Sequence, residues 1–241
     1  MTVTEQRKTQ LPVVGPTWVA RASTLARHVL SVLPDPKRTP LTFGYLMVLL
    51  ATTITQYLVP DSTLDRIFEE SSTNLANLAS RPVEVLLLSA GWLTDKDWLG
   101  YALAFTLALA PLERRLGVLR AAGIVLTGHV LVTLITEGGV GLAITLGRMP
   151  ASVEVQWDIG ASYLLMTGIG AVLGLLPVSV RVPALGVAAL CLALPVLGNP
   201  GMTDIGHLLC LATGVCFWPM LRRRGLLGTM WPGRRPWHPA R

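Results

Sequence analysis

Two side chains in this sequence have the types and spacing for nucleophilic chemistry inside an apolar chain. Ser162 stands four residues after Asp158 near the start of one hydrophobic run, and His207 stands three residues after Asp204 at the start of another. A serine hydroxyl is a poor nucleophile until a neighbouring imidazole takes its proton. An ionisable group inside an apolar span is costly to keep and is a functional candidate by default. At a rise of about 1.5 Å per helical residue, His207 is expected roughly 4.5 Å and Ser162 roughly 6 Å below the same boundary. At one depth on two helices they could act as nucleophile and general base. Plainer roles compete: a serine in a membrane helix often bonds its own helix carbonyl, and a lone histidine can bridge helices.

Glycines stand where such a pair would need close support. Gly160, Gly168, Gly170 and Gly174 share the run that holds Ser162, and Gly206 and Gly214 share the run that holds His207. Small residues let two membrane helices approach backbone to backbone. Gly170 and Gly214 each fall about two turns below the pair, so Gly160, Gly168, Gly170 and Gly214 are read as packing residues at the site. Other chemistries lack their residues. Cys191, Cys210 and Cys216 lie in apolar runs without CxxC spacing, which argues against a disulfide framework or a zinc site, and no metal or cofactor is expected. Phosphate loops, HExxH pairs and dinucleotide fingerprints are absent.

The elements that must position these residues follow from composition. Of 241 residues 51% are hydrophobic and 14% charged, against about a quarter charged in soluble domains. A bilayer is therefore the expected solvent. Residues 41–59 run without a charge and are long enough to cross about 30 Å of hydrocarbon. Further spans are read at 97–112, 116–136, 159–177, 184–198 and 205–221, giving an all-α, six-span bundle. The run 83–93 is too short to span and reads as a re-entrant or in-plane piece of a long first loop. Three parts result: a cytoplasmic arm at 1–40, a membrane domain at 41–222, and a basic tail at 223–241. Trp18, Ala22, Leu25, Val29 and Val32 of the arm recur at helical spacing, as in an interfacial helix, although a loosely ordered basic arm fits equally well.

Charge placement orients the bundle, because Lys and Arg gather in cytoplasmic segments. With the N-terminus inside, the inner segments hold 16 of the 20 basic residues, leaving Arg66, Arg81, Lys96 and Arg148 outside with most of the acids. Both termini are expected in the cytoplasm of a multi-pass cell-membrane protein. The formal charge of +6 then follows from topology, and no nucleic-acid partner is expected. Residues 1–40 contain no short apolar core with a cleavage site, so the first span is expected to be retained.

The quoted residues together resemble the rhomboid family of intramembrane serine proteases. Gly160-Ala161-Ser162 with Gly170 is similar to the motif that opens the family's fourth helix, and His207 with Gly214 to its sixth. Glu113-Arg114-Arg115-Leu116-Gly117 looks like the Glu-x-Arg-x-Gly signature closing the second helix. The resemblance covers roughly 41–222. It implies a six-helix fold with a long first loop, cleavage of single-span membrane proteins within the bilayer, Ser162 as nucleophile and His207 as base. The family also places a His and an Asn on helix two to bind the oxyanion. Counting back from Glu113, those positions are Asp97 and Tyr101. Asp97 cannot donate when ionised, so Tyr101 and the backbone N–H of Ser162 are the candidate donors. Tyr163 stands where a Gly usually follows the nucleophile, and Cys210 replaces a Gly below the histidine.

Two readings compete: an intramembrane serine protease, and a rhomboid-like pseudoprotease that binds membrane-protein clients without cutting them. A channel or transporter reading lacks an internal repeat. His129 reads as a packing or water contact, Ser71 to Asn74 with Asn77 as helix capping, and Asp158 as a solvated residue near a helix start.

Overall fold

The computed structural model describes residues 33–155, 157–198 and 201–222. The chain divides into units Met1–Leu33 and Pro34–Arg241. The expected interfacial helix of the arm and the tail at 223–241 both lie outside the described residues.

Among the described residues every regular element is helical: α1 (Pro40–Leu58), α2 (Asp61–Ser71), α3 (Leu75–Ser80), α4 (Pro82–Ser89), α5 (Trp98–Leu116), α6 (Val118–Thr145), a 3-10 turn (Ala151–Val155), α7 (Ser162–Leu173), α8 (Val178–Gly198), α9 (Met202–Cys216) and α10 (Trp218–Leu221). Among the described residues four segments are long and apolar enough to cross a membrane: Pro40–Leu58, Val118–Thr145, Val178–Gly198 and Met202–Leu221. Leu103, Leu107, Leu190 and Leu197 are exposed on α5 and α8, a surface suited to hydrocarbon. The protein is a multi-pass membrane protein.

Helix ends explain where the apolar runs mislead. Residues 97–112 were bounded by Glu113, yet α5 continues to Leu116 because the Glu113 carboxylate has partners. It accepts from the N–H of Leu41 (2.7 Å), the N–H of Thr42 (2.8 Å) and the Thr42 hydroxyl (2.7 Å). Those amides are the orphan donors at the start of α1, and Pro40 at its first turn has no N–H to satisfy. Gly117, at φ +81°, then ends α5 in a conformation that other residues rarely adopt. The third run extends well past 136 to Thr145: Glu137 and the glycines after it break the apolar pattern, but Glu137 is buried and the Leu75 side chain packs on Gly141. The fifth starts at Val178 instead of 184, because Arg181, which broke the apolar pattern, is buried with its guanidinium 4.7 Å above the Trp218 ring.

The fourth run differs most. Residues 158–161 are not helical, and α7 has 12 residues, roughly 18 Å. Ser162 is therefore the first residue of its helix instead of a full turn inside it. Run 83–93 forms α4 and the turn after it, with Val85, Ala90 and Leu93 buried. Asn74 caps α3 by accepting from the Asn77 N–H at 3.0 Å.

α7 is the central post, packed against α5, α6 and α9. Phe105, Leu109, Leu112, Ile124, Val125, Leu164 and Leu165 form the core around it. Its contact with α9 is backbone on backbone. A Cβ on Gly170 would strike the Leu211 carbonyl and the Gly214 Cα, and one on Gly214 would strike Thr167 and Ala171. Gly168 turns to the other side, toward Ala108 and Val125.

Candidate active site

Ser162 is held by the chain before it. The Gly160 N–H donates to the Ser89 carbonyl (3.0 Å) and the Ala161 N–H to the Trp92 carbonyl (3.1 Å). The Thr73 N–H and hydroxyl both donate to the Asp158 carbonyl at 2.9 Å, and the Asp158 N–H donates to the Ser72 hydroxyl at 2.7 Å. Segment 158–161 is thus stitched to the α2–α3 loop and to the α4 turn. Gly160 has φ +142°, a bend that a side chain would strain. As the first residue of α7, Ser162 also presents a backbone N–H without an intrahelical acceptor.

His207 lies on α9, one turn after Thr203. Its ring meets that of Tyr163 edge to face, with centroids 5.7 Å apart. Its Nε2 is buried without a hydrogen-bond partner among the described residues. Ser162 and His207 are both half-buried, and no hydrogen bond joins them among the described residues. The neighbour of the serine, not the serine, touches the imidazole. Tyr163 reaches across to Gly206, where a Cβ would strike its hydroxyl. The bulk of Tyr163 therefore needs a glycine on α9.

Two of the candidate oxyanion residues, Asp97 and Tyr101, lie outside the recess of Ser162. Asp97 caps α5, accepting from the Gly100 N–H at 3.0 Å. The Tyr101 ring packs beside Phe105, with centroids 6.4 Å apart. Neither lines the small recess that holds Ser162, which is formed with Thr73, Ser89, His129, Thr133, Asp158 and Thr203.

His129 is the residue the sequence undersold. It is 3% exposed, and its Nε2 lies 2.9 Å from the Leu86 carbonyl and 3.4 Å from the Ser89 hydroxyl. A carbonyl only accepts, so Nε2 carries the proton and Nδ1 is left as a bare acceptor. Nδ1 is buried and unpartnered, as is the Thr133 hydroxyl oxygen one turn on. His129 also stacks edge-on to Tyr163 at 6.3 Å, so Tyr163 stands between two histidines. The sequence shows a His flanked by Thr127 and Gly128, but nothing in it places Ser162 beside that helix.

Asp158, expected in solvent, is half-buried instead. Burial holds its carboxyl above the ordinary aspartate range, and the Thr73 hydroxyl 3.0 Å away partly opposes that. Glu137 shares a larger neighbouring cavity with it. No group of three or more His, Cys, Asp or Glu residues that could hold a metal occurs among the described residues.

The model of the family described as rhomboid-like protein matches residues 36–226. The chain belongs to that family. No curated protein and no solved structure matches it.

Proposed function

We propose that the protein is a rhomboid-like intramembrane serine endopeptidase that cleaves single-span membrane proteins, with Ser162 as nucleophile and His207 as general base. The observation that carries this reading is the pairing of a Ser162 hydroxyl at the bent, tethered start of α7 with an unpartnered, buried His207 Nε2 on the helix packed most closely against it. Buried polar atoms normally find partners, so one left open on the neighbouring helix suits a proton acceptor in waiting. In the reaction His207 takes the Ser162 proton as the hydroxyl oxygen attacks the peptide carbonyl. The Ser162 backbone N–H faces the developing oxyanion. His207 then protonates the leaving amine, and water, activated by the same imidazole, hydrolyses the acyl-enzyme.

The proposal includes six spans with both termini cytoplasmic, on the basic-residue asymmetry. In it α5 and α7 complete the bundle although neither is a span by length and composition. The short α7 then begins within the protein below the outer boundary, so that Ser162 is reached from the extracytoplasmic side.

Labelling with a fluorophosphonate tests the dyad. Wild type should react, faster as pH rises and the imidazole loses its proton, while Ser162→Ala and His207→Ala should not. Labelling that persists in Ser162→Ala would remove this serine as nucleophile. The second reading, a client-binding pseudoprotease, is favoured by the open Ser162–His207 pair and by Asp97 and Tyr101 lying outside the serine's recess. Unlabelled wild type that still captures single-span membrane proteins would select it.

A further inference from the structure

Beside the recess of Ser162 is a cavity of about 380 Å³, within the range of about 300–1,000 Å³ typical of ligand sites. Asp158, Tyr163 and Thr203 line both, so a chain whose backbone crossed Ser162 could drop a side chain into this cavity. Glu137 of α6 and Asp158 both face it. Glu137 is 9% exposed and has no hydrogen bond or ion pair among the described residues. Asp158 has the Thr73 hydroxyl on Oδ2 and no ion pair among the described residues. Two carboxyl groups of one sign, one of them buried and unpartnered, therefore share a space that no Lys or Arg lines among the described residues. Burying a carboxylate is costly unless something pairs with it.

We propose that this cavity is a specificity pocket for a basic side chain, Arg or Lys, of the membrane protein bound at Ser162, a proposal that rests on the proteolytic or client-binding reading of that site. A guanidinium matches a carboxylate two donors to two acceptors and supplies the missing charge for Glu137 and Asp158 together. The rest of the wall fits the stem of such a side chain. Val140, Met149 and Trp157 offer apolar surface to a methylene chain whose head stays polar. A divalent metal is a poorer match, since calcium takes six to eight oxygen ligands and two carboxyl groups line the cavity among the described residues.

Binding reads the pocket without calling on catalysis. Full-length protein in detergent micelles is titrated with N-acetyl-arginine methylamide and with its uncharged isostere, N-acetyl-citrulline methylamide. Wild type should bind the arginine compound at least tenfold more tightly. Glu137→Gln, which keeps the shape, should erase the preference, and Asp158→Asn should reduce it. Ser162→Ala should keep it in full while losing fluorophosphonate labelling, so failure of the protease reading is separate from failure of the pocket. Equal binding of the two compounds by wild type, or a preference that survives in a folded Glu137→Gln/Asp158→Asn double variant, would overturn the proposal.

Discussion

The two ends of the α5–α7 core handle buried polar groups in opposite ways. At the Glu113 end a carboxylate that is 3% exposed accepts three hydrogen bonds from Leu41 and Thr42. At the Ser162 end, His129 Nδ1, Thr133 Oγ1 and His207 Nε2 are buried with none. Orphaned atoms also occur at Gln56, Arg115 and Arg181, but among the described residues those of His129 and Thr133 belong to side chains that share a recess with Ser162. A satisfied knot stabilises; an unsatisfied cluster keeps donors and acceptors free for a guest. Substitutions should therefore separate the two ends, one losing stability and the other losing function.

The largest effect is expected at the knot. Glu113→Ala strands three donors at the start of α1, each costing about 1–3 kcal/mol when buried and unpaired, so a loss of about 3–5 kcal/mol is expected. Unfolding in mixed micelles measures it. A loss under about 1 kcal/mol would mean that water replaces the carboxylate and that the two ends do not differ in kind.

Next is the close approach that joins the ends. Gly170→Leu drives a side chain into the Leu211 carbonyl and the Gly214 Cα, and overpacking of this sort costs about 1–3 kcal/mol or more. Gly123→Ala is the control: nothing lies within 4 Å of its Cβ position, and alanine gains up to about 1 kcal/mol over glycine in a helix. Equal stability of the two variants would show that α7 and α9 are not locked through Gly170.

At the other end, Ser162→Ala should shift stability by about 0.5 kcal/mol or less and His207→Ala by about 1 kcal/mol, through the lost ring contact with Tyr163, while both abolish phosphonate labelling. Neither side chain has a hydrogen bond to lose among the described residues. A destabilisation like that of Glu113→Ala would make the Ser162 end structural as well.

What could be read from the sequence follows the same division. The hydrophobic runs located the long helices, and the Glu113 to Gly117 signature pointed to the turn where α5 ends. The partners of Glu113 lie some 70 residues away, so its role as a cap needed the fold. Arg181 hid the first part of α8 because a run of hydropathy cannot foresee a cation stacked on Trp218. The apolar run overstates the depth of Ser162 because it begins before the helix does, and Gly160 marks the bend between them. His129 and Glu137 read as ordinary polar interruptions of α6; what singles them out is a missing partner, which is a tertiary property.

The smallest effect is electrostatic and falls on the residue shared by the two cavities. Burial raises the folded-state pKa of Asp158 above its ordinary value of 3.8, with the Thr73 hydroxyl opposing. Between 3.8 and that raised value the folded protein keeps a proton that the unfolded chain has lost. More protons are then bound in the folded state, so stability falls as pH rises through this window and is greatest below it. Asp158→Asn should flatten that part of the stability profile and leave the variant at least as stable as wild type near neutrality. Thr73→Val, which removes the hydroxyl favouring the charged form, should extend the decline to higher pH. Thermal unfolding in micelles across mildly acidic pH measures both. A wild-type curve that instead gains stability through the window would mean that Asp158 is held ionised by a cation, and would set the Ser162 end beside the Glu113 knot.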